Sequence, residues 1–444
     1  MHYNLTKGPI TKSLILFTLP TILSNLLQQL YNIIDTFIVG HIIGPQAIAS
    51  VGSSFTLMTL LTSMILGLCM GSGVLFSMLY GGEKNKDIKN AFVISFIFIS
   101  IISLIIQILC LIFLHNILIF MNIPTDIYEQ TYQYLFIILI GFFFTFLYNY
   151  FASILRSIGN SKTPLFFLAL ATIINIILDL YFIVELHLGV SGAAIATIIA
   201  QAISGIGLMI YTLHTQKELI PTKQDCYFNQ EIFKKIKDYS LLTCIQQSVM
   251  NFGILLIQGL VNSFGVITMS AFAAAVKIDA FAYMPVQDFG NAFATFIAQN
   301  KGAHQTKRIQ QGLKKAIIIS TLFCMIISFI IYLLAPQLMT IFIDKHQIQI
   351  IQQGVEYLRI EGVFYLGIGC LFLLYGYYRG IGQPGISIIL TIISLGTRVL
   401  ISYIFVETLG LKAIWWSIPI GWILADITGI IYHKISSKEN LESL

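Results

Sequence analysis

Charge is scarce in this sequence: Asp, Glu, Lys and Arg together make up 10% of its 444 residues, where an average soluble domain holds roughly 25%. With 57% hydrophobic residues beside it, that scarcity excludes an ordinary soluble core and fits a chain that crosses a bilayer repeatedly. Cysteine is sparse as well. Cys69, Cys110, Cys226, Cys244, Cys324 and Cys370 lie far apart, with neither metal-ligand nor disulfide-framework spacing, and read as packing residues. No Walker-type glycine loop is present, which excludes direct nucleotide hydrolysis. The histidines are dispersed and sit mostly at the ends of apolar runs, so no clustered metal or nucleophile set emerges.

What the sequence does contain is long apolar runs. A helix needs about 20 such residues to cross the roughly 30 Å hydrocarbon layer. Twelve segments qualify, at about 14–39, 47–80, 90–114, 128–154, 164–184, 190–213, 239–263, 267–300, 313–334, 352–378, 385–406 and 411–433. The second and eighth are over-long, which implies tilt or extension past the membrane surface. The first is about twice the length of a signal-peptide core and has no small-residue cleavage site, so it reads as a retained span.

With the N-terminus placed in the cytoplasm, 20 of the 25 lysines and arginines fall on the inner side. The positive-inside rule therefore puts both termini in the cytoplasm. The net charge of +5 is a topology signal, and we read no nucleic-acid partner from it.

A polar loop at about 214–238 divides the chain nearly in half. Arg156-Ser-Ile-Gly159 recurs as Arg379-Gly-Ile-Gly382, 223 positions later, and Gly44/Gly265 and Gly81/Gly302 recur at 221. An even number of spans per half makes the repeat parallel. The expectation is an all-α polytopic membrane protein: a six-helix N-lobe (1–213), a cytoplasmic linker (214–238) and a six-helix C-lobe (239–444) around a central cleft.

A buried acid in such a chain needs a reason, since a charged Asp at mid-bilayer costs about 2.5–3.5 kcal/mol on insertion scales. The first lobe has Asp35 on span one and Asp179 on span five, with no basic residue inside its spans. Asn175 lies one helical turn before Asp179, on the same face. Counting along the helices puts Asp35, Asp179 and Thr197 of span six at similar depths in the outer half of the membrane. Two carboxylates, an amide and a hydroxyl form an all-oxygen set suited to a hard cation or a shared proton. The plainer alternative is that each acid caps backbone groups at a kink or faces trapped water. Against it, the repeat places Leu256, Arg398, Ser402 and Ile418 opposite Asp35, Asn175, Asp179 and Thr197, whereas a scaffold requirement would recur in both halves.

The second lobe mixes signs: Lys277, Asp279, Asp288, Glu361, Arg398 and Asp426. Pairing among themselves and a part in coupling or substrate contact both remain open. Pro20 in span one and Pro285 in span eight free carbonyls and mark either hinges or static kinks. Among the many aromatic and methionine residues, Tyr31, Tyr134, Phe281, Tyr283 and Met284 are candidates for lining a cleft that accepts flat apolar cations.

The stretches LPTILSNLLQQLYNIIDTFIVGHIIGPQAIASVG, LRSIGNSKTP, NIILDLYFIVELHLGVSGAAIATIIAQ and AFAAAVKIDAFAYMPVQDFGNAFATFIAQNKGA resemble the multidrug and toxic compound extrusion (MATE) transporters, nearest their DinF-like bacterial branch. The likeness spans nearly the whole chain. It implies a twelve-helix, two-lobe secondary transporter that exchanges Na⁺ or H⁺ for organic, often cationic, drugs and needs no cofactor. It assigns the cation site to Asp35, Asn175, Asp179 and Thr197, sets Tyr134 beside that site, makes Pro20 the bend of span one and brings Asn149 near the drug cavity. The span-ten acid of another branch has only Glu361 as a loose counterpart. The resemblance further implies a monomeric protein of the bacterial inner membrane, in contact with lipid and small-molecule drugs and with no nucleic acid. Two other readings stay open: a lipid-linked saccharide flippase of the wider superfamily, which would favour extra helices and an arginine-lined cleft, and an integral-membrane enzyme.

Overall fold

The computed structural model describes residues 4–442, and every long element is a helix. In order these are α1 (Ile10–Ile42), α2 (Pro45–Gly81), α3 (Asn85–Ile112), α4 (Leu114–Phe120), α5 (Thr125–Ile140), α6 (Phe142–Ser157), α7 (Lys162–Leu180), α8 (Gly189–Thr215), α9 (Gln230–Asn262), α10 (Val266–Gly302), α11 (Thr306–Phe342), α12 (Ile348–Val363), α13 (Tyr365–Gly380), α14 (Pro384–Leu409) and α15 (Leu411–Glu442). Ten are long and apolar enough to cross a membrane singly. The pairs α5–α6 and α12–α13 qualify jointly, bent by 46° and 54°, which brings the spans to twelve.

Those two bends are what the apolar pattern does not reveal. They fall at Gly141 and Phe364, which are 223 positions apart, the interval of the Arg156/Arg379 repeat. At Gly141 the reason is close packing: a Cβ there would sit 2.4 Å from Ile198 of α8. The repeat governs the turns too. Gly44 and Gly265 precede α2 and α10 with φ of 118° and 89°, and Gly159 and Gly382 take φ of 87° and 75°, a region L-residues avoid. Both α2 and α10 have 37 residues, about 55 Å at 1.5 Å per residue, so each outruns the hydrocarbon layer.

The helices form two compact units. The first holds Leu19–Cys244, the second Leu5–Thr18 with the chain from Ile245 onward. These bounds depart from the 1–213 and 239–444 lobes expected from the sequence, for local reasons. Arg308 donates from Nε and Nη2 to the Leu5 carbonyl, both at 3.1 Å, from Nη2 to Lys7 at 2.9 Å and from Nη1 to Gly8 at 2.8 Å. Leu5 itself is fully buried, so the N-terminal segment belongs to the second unit. In the first unit, Asn90 Nδ2 donates to the carbonyls of Asp225 (2.9 Å) and Tyr227 (2.7 Å), fastening the linker to α3. As a result α1 changes unit between Thr18 and Leu19, beside Pro20, and α9 does so between Cys244 and Ile245.

Within the first unit an aromatic core of Phe92, Phe96, Phe146, Tyr150 and Phe151 joins α3 to α6. In the second, α10 packs against α13 through glycine: a Cβ on Gly376 would lie 2.2 Å from the Gly290 carbonyl oxygen. Lipid-facing flanks carry exposed Ile, Leu and Phe, as expected where the solvent is hydrocarbon.

Candidate functional site

Four helices of the first unit bring the expected residues together. Asp35 lies on α1, Tyr134 on α5, Asn175 and Asp179 on α7, and Thr197 on α8; Asn175 and Asp179 are fully buried, and Asp35 is 7% exposed. The Asn175 amide Nδ2 donates to Thr197 Oγ1 at 3.5 Å, and the Tyr31 hydroxyl lies 3.1 Å from the same oxygen. The carboxyls of Asp35 on α1 and Asp179 on α7 interact electrostatically. Tyr134 is buried in a cluster with Ile38, Ile138 and Ile183.

The electrostatics follow from this packing. Four buried oxygens, Asp35 Oδ1, Asn175 Oδ1 and both Asp179 Oδ atoms, have no protein donor. A buried acceptor left unpaired costs about 1–3 kcal/mol. Four such oxygens on α1 and α7 make a set able to receive something positive, and the Asn175 nitrogen is spent on Thr197, leaving its oxygen open. The donor set consists of oxygen alone, which suits a hard cation such as Na⁺ or a proton. Directly after Asp179 and Leu180 the helix widens into a π-helical turn, Tyr181–Glu185, a distortion that recurs at functional sites.

The other sequence-derived candidates fall elsewhere. Tyr31 joins the acid site. Asn149 donates to the Thr145 carbonyl at 2.8 Å, and Thr145 in turn donates to Gln201. Phe281 and Lys277 are exposed on α10, Lys277 lying over the Phe342 ring. Met284 is half-buried, and Tyr283 stacks on Phe372. Asp288 is buried further along α10. Asp279 on α10 and Glu361 on α12 are both buried and interact electrostatically with each other and with Arg398. Around Pro20 and Pro285 the helices continue unbroken, and Ser24 Oγ donates to the Pro20 carbonyl at 2.8 Å. Sequence reasoning missed Tyr357 and Tyr365, which flank the second cluster.

A family comparison decides what kind of protein presents this site. Residues 20–181 and 242–404 both match the MatE family, one copy in each half. The chain belongs to the MatE family. It is therefore a membrane-spanning transporter and not an enzyme, and its relatives need no cofactor. It is 28% identical over 437 residues to the probable multidrug resistance protein YpnP of Bacillus subtilis, covering 97% of this chain and 96% of that one. A crystal structure of a MATE in the bent conformation matches with a TM-score of 0.92 at 25% identity, over 100% of this chain and 99% of that one. A MATE in the straight conformation gives 0.87 at 25% identity, over 98% of each chain.

Proposed function

We propose that this MatE protein is a secondary multidrug exporter, driven by Na⁺ or H⁺ entering at Asp35, Asn175, Asp179 and Thr197. The observation that carries the reading is the set of four donor-less buried oxygens in the first unit. The relatives named as multidrug resistance proteins supply the substrate class: small organic compounds, often cationic.

The work is done by alternating access. A cation that enters from outside neutralises the acids and alters the packing of α1, on which Asp35 sits. Pro20, next to the point where α1 passes from one unit to the other, is the hinge, and solved MATE structures in bent and straight conformations support a mobile element in this fold. The bound drug loses its counter-charge and leaves. One charge crossing 100 mV supplies about 2.3 kcal/mol, worth roughly fifty-fold accumulation. The protein acts as a monomer in the bacterial inner membrane with both termini in the cytoplasm, as the distribution of lysine and arginine supports.

The test is dye efflux from vesicles. Wild type exports ethidium when a sodium or a proton gradient is imposed, and the gradient that drives export identifies the ion. Asp35→Asn inserts and folds but loses gradient-driven export. Efflux at the wild-type rate from that variant would remove the coupling role.

A further inference from the structure

The end of the second unit that receives the N-terminal segment carries a basic patch with no acid in it. Arg308, in the first turn of α11, spends its guanidinium on the carbonyls of Leu5, Lys7 and Gly8 and so brings Lys7 near Lys307. Lys12 follows in the first turn of α1, and Lys314 and Lys315 lie about 10 Å further along α11 than Arg308. All five lysines are exposed. No aspartate or glutamate occurs before Asp35 or between Asp288 and Asp344, and among the described residues none of the five lysines makes an ion pair.

The repeat shows that the helical scaffold does not demand this charge. Helices α3 and α11 start 221 positions apart, at Asn85 and Thr306, the interval of the Gly81/Gly302 pair. At that offset Glu83 and Asp87 of the first unit give way to His304 and Arg308, and Val93 and Ile94 to Lys314 and Lys315. The lysines of the first unit also have acids around them: Asp225 interacts electrostatically with Lys89 and Lys86, and Glu231 with Lys84. A topology signal needs only lysines and arginines on one side, and the first unit supplies it with both signs interleaved. The exclusion of acids from the second patch goes beyond that requirement.

What meets the patch follows from its place on α11. Lys314 and Lys315 head an exposed apolar stripe in which Ile318, Leu322, Met325 and Phe329 follow at intervals of three and four, each more than half exposed. Such a stripe faces hydrocarbon. The two ammonium groups therefore stand about one helical turn from the first acyl-facing residue, where a lysine extends its charge to the headgroup layer.

We propose that Lys7, Lys12, Lys307, Lys314 and Lys315 form a binding surface for the phosphate headgroups of anionic phospholipids of the cytoplasmic leaflet, carried by the second unit and not by the first. Five basic residues next to a span fall within the range of about four to eight that recognises such lipids. Arg308 is a positioning residue here, since its guanidinium is occupied by the carbonyls that hold Lys7 in place. A lipid seated on the patch ties the start of α1 to α11, whatever the coupling ion and the exported compound.

Native mass spectrometry of the full-length protein in detergent, titrated with phosphatidylglycerol or phosphatidylcholine, tests it. Wild type prefers phosphatidylglycerol. Lys314→Gln/Lys315→Gln weakens phosphatidylglycerol binding by about five-fold per lysine and leaves phosphatidylcholine binding unchanged, while Lys84→Gln/Lys86→Gln in the first unit binds both lipids like wild type. Free glycerol phosphate, a headgroup without acyl chains, does not compete. Unchanged phosphatidylglycerol affinity in Lys314→Gln/Lys315→Gln, an equal loss in the first-unit variant, or full competition by glycerol phosphate, which would assign the patch to a soluble anion, overturns the proposal. Should Lys314→Gln/Lys315→Gln fail to insert, unchanged affinity in Lys7→Gln/Lys12→Gln overturns it as well.

Discussion

The Tyr31 hydroxyl and Thr197 Oγ1 lie 3.1 Å apart, joining α1 to α8 across 166 positions of sequence. Thr197 also accepts from Asn175, so its oxygen ties α1, through Tyr31, and α7, through Asn175, to α8. The geometry of the acid site therefore depends on a tyrosine that carries no ionisable role at neutral pH.

Tyr31→Phe removes that bond and keeps the ring. The loss is about 1 kcal/mol, which predicts a several-fold rise in the concentration of coupling ion needed for half-maximal dye efflux, with the maximal rate nearly retained. A lost maximal rate at unchanged ion dependence would mean that Tyr31 acts on substrate instead.

Much of this arrangement is legible in the sequence because hydrophobicity and acid placement carry it. Asp35 and Asp179 stand out as lone charges in oily helices, and helix periodicity puts Asn175 on the face of Asp179. The repeat offsets likewise locate the positive-φ glycines. Bends at Gly141 and Phe364 are not legible, because each lies within a run that stays apolar across the break and depends on what packs against it. Tyr357 and Tyr365 are hidden among 21 tyrosines, of which only three-dimensional proximity selects those beside acids. Tyr357 alone has a usable signal, its repeat relation to Tyr134.

Arg308 predicts an effect at the other end of α1. Its guanidinium holds the carbonyls of Leu5, Lys7 and Gly8 while lying over the Phe296 ring. Arg308→Ala leaves those carbonyls without that partner, costing about 3 kcal/mol where charged hydrogen bonds are lost. Faster hydrogen exchange confined to residues 5–18 is the expected outcome, with exchange around Asp35 unaltered.

At the α10–α13 crossing, backbone meets backbone. Gly376→Val puts its Cβ where the Gly290 carbonyl oxygen sits 2.2 Å away, and neither partner is a flexible side chain that can move aside. Overpacking of this kind costs about 1–3 kcal/mol or more, so the variant melts at a lower temperature than wild type. Gly385→Ala, where a Cβ meets nothing within 4 Å, melts like wild type and serves as the comparison.

The linker responds to pH with a definite sign. Asp225 accepts from the Thr222 hydroxyl at 2.7 Å and from the Thr222 backbone N–H at 2.8 Å, and these bonds, with Lys89 and Lys86 nearby, hold its carboxyl below the usual range. A carboxyl lowered by folding contributes its stability in full above the unfolded value of about 3.9 and loses it as pH falls through the lower folded value. The linker around residues 222–229 therefore keeps its amide protection from neutral pH down to about pH 4, and Asp225→Asn raises exchange there at every pH above that. Loosening of the wild-type linker already near pH 6 would contradict this. Any change in transport rate between about pH 5 and pH 8 must then arise at groups other than Asp225, which remains ionised throughout that interval.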